Sequence, residues 1–268
     1  MSGSTAYVLT GGGAKGCFQI GAMQCLKNAG IKPSAIYGTS VGALNSFGYK
    51  WMGLDTLTDV WLGIKSKKEI LKFNWNTLLL KSDGIFNLSP LEKKMRKYSS
   101  EKPENNIESI VTRVSLRSGD IEYCSSRYYN YNDFINCVVS SSSIPGIMSP
   151  IDGEWVDGGV REMAPIGKAI ANGHKSIIVI ETSPRIIPTF NPSNFIANTY
   201  RAIDGLLEHE VFLGDLSFCE MKHPKVSIMS IYPNEVVCDT LQFNHEKIKS
   251  GIAKGFAAAT KLLEKGSM

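Results

Sequence analysis

The chain has no apolar run of roughly 18 or more residues, the length a membrane-spanning helix needs, so no transmembrane helix is expected. Met1 to Thr10 lack the basic start and long apolar stretch of a signal peptide, and read as the first strand rather than a targeting segment. The expected location is the cytoplasm, at most peripheral to a membrane. Histidine is scarce: the four are isolated singles, and the six cysteines (Cys17, Cys25, Cys124, Cys137, Cys219, Cys238) contain no C-x-x-C pair. Zinc is therefore not expected, and free thiols packed as small hydrophobes are favoured over three disulfides. Cys17 and Cys25 share one predicted helix, which supports that choice. No acidic residue precedes Asp55, and the net charge of +4 is too small to suggest a nucleic-acid partner on its own. There is no internal repeat and no low-complexity linker. With 268 residues, 43% of them hydrophobic, the chain is compatible with one large α/β domain, residues 1–268.

Apolar runs and glycines set out the elements. Ala6 to Leu9 read as a buried strand ending at glycines. Ala14 to Asn28 have apolar residues at helical spacing, with Gly30 as the stop. Ala35 to Tyr37 form a second strand and Val41 to Trp51 a second helix, an order that implies parallel strands covered by helices. Ile107–Leu116 and Asp120–Ser125 alternate as a hairpin around Arg117-Ser118-Gly119. Phe134–Val139 read as a helix, Glu154–Asp157 as a strand and Pro165–Ala171 as a helix opened by proline. Ser176–Glu181 read as a core strand, Phe195–Leu213 as a helix, Val226–Ile231 as a strand and His245–Leu263 as the last helix.

Two glycine-rich motifs lie close together near the N-terminus. Gly38-Thr39-Ser40-Val41-Gly42 is a G-x-S-x-G nucleophile elbow placed between a strand and a helix. The sharp turn exposes the serine, and the flanking glycines make room for it. The other reading is that Ser40 only caps the following helix. Gly11-Gly12-Gly13-Ala14-Lys15-Gly16 also fits a dinucleotide fingerprint, but the acidic ribose contact about twenty residues on is missing. Lys15 is followed by Gly16 and not by Ser or Thr, so it is not a Walker A loop either. The loop reads better as an oxyanion hole, with the amides of Gly11, Gly12 and Gly13 facing a developing negative charge and Lys15 adding charge or bracing. A tight packing turn is the alternative.

A triad would need a histidine. His174 lies in a turn and His209 among glutamates on a helix, while His223 and His245 are not excluded by position. Asp157, in Trp155-Val156-Asp157-Gly158-Gly159, ends a short apolar strand and is the better base if its surroundings bring its pKa towards the working pH. A plain Asp-Gly turn is the other reading.

These motifs, in this order, resemble the patatin-like phospholipase family. Ser141-Ser142-Ser143-Ile144-Pro145 with Pro150, and Val160 to Pro165, are also similar, so the resemblance covers about residues 5–180. It implies a three-layer α/β/α patatin-type fold with mostly parallel central strands and a helical cap-like insertion at about 51–105. It implies a Ser40–Asp157 dyad and an acyl-enzyme, an oxyanion hole from the Gly11–Gly13 amides, and a glycerophospholipid or other acyl ester as substrate. Lys15, Gly16, Gly38, Gly42, Gly158 and Gly159 would support the motifs; no metal or cofactor is implied. An ordinary α/β-hydrolase fits less well, because it places several strands before its serine and commonly has histidine where this chain has Thr10. A soluble esterase or thioesterase and a non-catalytic lipid binder of the same fold remain alternatives.

The segment from Trp51 to about Lys102 mixes aromatics with basic charge. It has eleven Lys and Arg against six Asp and Glu from Lys50 to Lys102, and reads as helices and loops without clear strands. Two readings stand open: a membrane-docking cap over the site, or a helical insertion whose aromatics belong to the core.

Overall fold

The computed structural model describes residues 5–74, 83–186, 198 and 208–266. The chain forms an α/β fold around a mixed sheet whose central strands are parallel. β1 (Thr5–Leu9) lies between β2 (Pro33–Gly38) and the eighth strand, β8 (Ser176–Ile180). β5 (Glu108–Ser115) follows β2, and β9 (Ser227–Ile231) follows β8, all parallel. β6 (Ile121–Ser125) closes one edge as the antiparallel arm of the expected hairpin. β7 (Trp155–Asp157) pairs antiparallel with β5 from Arg113 to Ser115, on the edge that β2 leaves at Val111.

Strand alternation divides the core into two layers. Tyr7, Leu9, Ile36, Ile178 and Ile180 face one side. There they pack with α1 (Cys17–Asn28), α2 (Val41–Trp51), α3 (Gly53–Leu62), α4 (Ser89–Tyr98), α5 (Tyr131–Ser140) and the C-terminal helix α8 (His245–Gly266). Ala6, Val8, Ala35, Tyr37, Ile177 and Val179 face the other side, with α6 (Ile166–Ala171) and α7 (Glu208–Lys222). The period-2 pattern of a strand buried on both faces accounts for both layers.

Most expected elements are present, with ends shifted by up to three residues. Residues 195–197 and 199–207 of the expected helix 195–213 lie outside the described residues. From Glu208 the helix runs on to Lys222, because Phe212, Leu216 and Cys219 continue its buried stripe past Gly214. The segment expected to lack strands carries a two-residue antiparallel pair, β3 (Lys72–Phe73) with β4 (Phe86–Asn87). Trp51 and Trp61, 5% and 6% exposed, belong to the core, whereas Lys65, Lys67, Lys68 and Lys72 are exposed. Trp75 and Leu78 to Leu80 lie outside the described residues. All six cysteines are free and buried. Hydrogen bonding to Cys238 and burial push the Cys17 thiol far up, and Cys137 and burial do the same to Cys124. No described helix is long and apolar enough to cross a membrane.

Candidate active site

The carboxyl ends of β1, β2 and β8 are level: Leu9 is opposite Gly38 on one side and Ile180 on the other. The chain leaves β1 towards β2 on one side, while β8 lies on the other. That edge is a topological switch point, where open α/β sheets place ligands. The Gly11 loop, the Ser40 turn and Thr182 all emerge there.

Ser40 has φ 56° and ψ −122°, one of two described non-glycine residues with positive φ. This strained turn puts the serine directly before the first turn of α2, and it persists because its neighbours hold it. A Cβ on Gly38 would collide with the backbone of Gly42, and one on Gly42 with the Leu9 carbonyl. Thr39 N donates to Leu9 O at 3.2 Å, fixing the entry to the turn. The Ser40 side is 8% exposed and lies at the positive end of the α2 dipole.

The glycine loop lies against the elbow. A Cβ built on Gly11 would sit 3.1 Å from Ser40 Cβ and 2.7 Å from Met163 Sδ. Ala14 N is engaged by Thr240 O at 2.8 Å and Lys15 N by Gly12 O at 3.2 Å, which leaves Gly11, Gly12 and Gly13 as the loop's candidate donors. Lys15 is buried, and its Nζ donates to Ser183 Oγ at 2.8 Å, bracing the loop on the segment after β8. Gly16 packs on Val41.

Asp157 is 2% exposed, at the end of β7. Gly159 N donates to its Oδ1 at 2.8 Å, and its own N donates to Ser143 O at 2.9 Å. Two short chains of contacts link it to Ser40. In the first, Thr39 Oγ1 and Thr112 Oγ1 are 2.6 Å apart, and Thr112 packs where a Cβ on Gly158 would lie. In the second, the serine run clamps both residues: Ser40 N donates to Ser141 Oγ at 3.0 Å and Ser142 Oγ donates to Ser40 O at 3.4 Å, while Ser143 holds Asp157. Three histidines lie elsewhere: His174 meets Tyr37 edge-on at 5.6 Å, His245 Nδ1 lies 2.7 Å from Leu62 O, and His223 is exposed past α7. His209 lies in the first turn of α7.

An apolar cavity of about 840 Å³, counting its open mouth, reaches Ser40. Val41, Leu57, Trp61, Leu91, Met95 and Phe243 represent its wall, and Asp157, His174, His223 and His245 are not part of it. Much of the wall, Ile64, Ile70, Leu71, Leu88, Leu91 and Met95, comes from the 51–105 segment. Nothing in that segment's sequence distinguishes a cavity wall from an ordinary core. Among the described residues no His, Cys, Asp and Glu cluster could hold a metal ion.

Comparison with known proteins gives a consistent result. The model of the patatin-like phospholipase family matches residues 7–170. The chain is 27% identical over 185 residues to patatin-like phospholipase domain-containing protein 7 of Rattus norvegicus, covering 67% of this chain but only 14% of that protein. It is 26% identical over 255 residues to YjjU of Escherichia coli (strain K12), covering 86% of this chain and 69% of that one. Among solved structures, VipD from Legionella pneumophila superposes with a TM-score of 0.53 at 14% identity, over 99% of this chain and 67% of that one, a likeness of fold.

Proposed function

The chain belongs to the patatin-like phospholipase family, which implies lipid acyl hydrolysis, and from that premise we propose that it is a phospholipase A-type enzyme working through Ser40 and Asp157. The observation that carries this reading is the apolar cavity that opens onto a serine held in an elbow. Residues 1–268 act as one catalytic domain in this reading, with the 51–105 insertion walling the acyl site.

The Asp157 carboxylate takes the Ser40 Oγ proton as Oγ bonds to the ester carbonyl carbon. The carbonyl π pair moves to oxygen, and the amides of Gly11, Gly12 and Gly13 at the positive end of α2 stabilise that oxyanion. Collapse breaks the C–O bond to the glyceryl oxygen, which leaves with the proton from Asp157. Water, deprotonated by Asp157, then attacks the acyl-Ser40 ester; a fatty acid departs and the serine is restored. The Gly159 bond to Oδ1 keeps the carboxylate plane fixed through these proton transfers. The cavity takes the acyl chain, where burial of each CH₂ contributes about 0.8 kcal/mol.

The test is covalent labelling by a fluorophosphonate probe, followed by turnover of phospholipid vesicles and of short dispersed esters. Labelling that vanishes in Ser40→Ala, with vesicle turnover, supports the reading. A labelled enzyme that cleaves only dispersed esters is a soluble esterase instead, and an unlabelled wild type is a lipid binder. The exposed Lys65, Lys67, Lys68 and Lys72 are the candidate contacts to an anionic lipid surface.

A further inference from the structure

We propose that Thr182 and Gln19 are positioning residues that set the direction of the two leading amides of the glycine loop, an inference that rests on reading that loop as the oxyanion hole. In a trans peptide the C=O and the following N–H point in opposite directions, so holding one aims the other.

Gln19, fully buried on α1, donates from Nε2 to Thr10 O at 2.8 Å and to Ile180 O at 3.2 Å. Thr10 O shares its peptide plane with Gly11 N–H. Gln19 thereby fixes that amide from behind. Its own orientation is fixed in turn: Asn45 Nδ2 donates to Gln19 Oε1 at 2.8 Å and to Gly16 O at 3.0 Å, and Trp61 Nε1 donates to Asn45 Oδ1 at 2.9 Å. Every polar atom of both amide side chains is engaged, the condition under which a buried network specifies a single arrangement.

Thr182 does the same one peptide on. Its Oγ1 donates to Gly11 O, which shares a plane with Gly12 N–H. Thr10 Oγ1 lies 3.2 Å from the same oxygen, and Thr182 N donates to Thr10 Oγ1 at 3.1 Å, so the hydroxyl pair is locked. A Cβ on Gly12 would collide with Thr182 Oγ1, which explains the glycine there, at φ 136°. Thr182 lies twelve residues beyond the end of the family match at residue 170, in a segment with no motif.

The deciding variants are Thr182→Val, which keeps the shape and deletes the hydroxyl, and Thr182→Ser, which restores it. Turnover of 4-nitrophenyl butanoate and the rate constant for fluorophosphonate labelling are measured beside a thermal melt. Complete loss of an oxyanion donor costs roughly 10²–10³-fold, so a misdirected one should lower kcat about tenfold or more, with KM changed less than about twofold. Labelling should slow in parallel, and Thr182→Ser should recover most of both. Gln19→Met should show the same split, with any loss of folding reported by the melt. Wild-type kcat and labelling in Thr182→Val overturn the inference, as does a Thr182→Ser variant as slow as Thr182→Val. If the wild type labels at Ser40 and Thr182→Val is unaffected, only this clamp falls; an unlabelled wild type overturns the hydrolase reading and the clamp together.

Discussion

On the side of Ser40 that carries the glycine loop, Thr10, Gln19, Asn45 and Thr182 are buried polar groups joined by hydrogen bonds. On the cavity side, Leu57, Leu88, Leu91 and Met95 offer apolar surface, and one ion pair, Lys94 Nζ to Glu69 Oε2 at 2.8 Å, ties α4 to the segment before β3. The two sides tolerate change differently. A buried hydrogen-bonded group left without its partner costs about 1–3 kcal/mol and loses its direction. An apolar wall accepts other hydrophobic residues of similar volume at less than about 1.5 kcal/mol. In the proposed reading the chemistry is thus tied to particular residues, whereas the fit of the cavity to an acyl chain is adjustable.

The sharpest way to break this contrast is Asp157→Asn. It should keep the fold and lower kcat by roughly 10²–10⁴-fold, the range for a general base, in a turnover assay with phospholipid vesicles. Near-normal turnover would show that Asp157 is not the base and remove the polar side's claim on the chemistry.

A smaller effect sharpens the polar side. Burial raises the Glu162 carboxyl to about 7, with the nearby Asp215 charge adding to it, against the hydrogen bond from Tyr123 OH at 2.6 Å. Thr39 Oγ1 donates to the backbone oxygen of the same residue at 3.1 Å, so the elbow is tied to it. An acid with a raised folded pKa contributes stability that is complete below its unfolded value, near 4.5, and lost as pH rises through about 7. Glu162→Gln should therefore flatten the fall in stability across that window, by ~1–3 kcal/mol in urea melts at pH 5 and pH 8. Equal slopes for both proteins would show that the carboxyl titrates as an ordinary glutamate.

The smallest effect tests the adjustable side. Met95→Trp should shorten the cavity and reduce kcat/KM for a long-chain ester by about tenfold, a ΔΔG near 1.4 kcal/mol, while a butanoate ester is cleaved as before. An equal loss on both esters would mean that the wall and the chemistry are not separable.

Much of the candidate site was legible in the sequence because its motifs are local. The strand–elbow–helix order around Ser40 is written in neighbouring residues, and the strained φ there agrees with it. The hairpin of β5 and β6 was legible from alternation around a Gly-containing turn. The helix ending at Lys222 was not, because the expected helix stops at Leu213 while burial of Leu216 and Cys219 carries it on past Gly214. The aromatics of the insertion left two readings open, since a core stripe and a membrane face have the same composition. Tertiary contacts, Trp51 stacked on Phe47 at 4.8 Å and tilted against Phe134 at 5.0 Å, place that ring inside.

By itself the sequence determined the parallel α/β order, the elbow and the glycine loop, because those features depend on spacing and on glycine at fixed positions a few residues apart. The tertiary structure alone decided that Ser141 meets the Ser40 amide across 101 residues, that Thr182 meets the Gly11 carbonyl across 171, and that the insertion lines a cavity. Hydrogen bonds and walls made by residues so far apart leave no periodicity along the chain; they exist only when the sheet brings the ends of β1, β2 and β8 level.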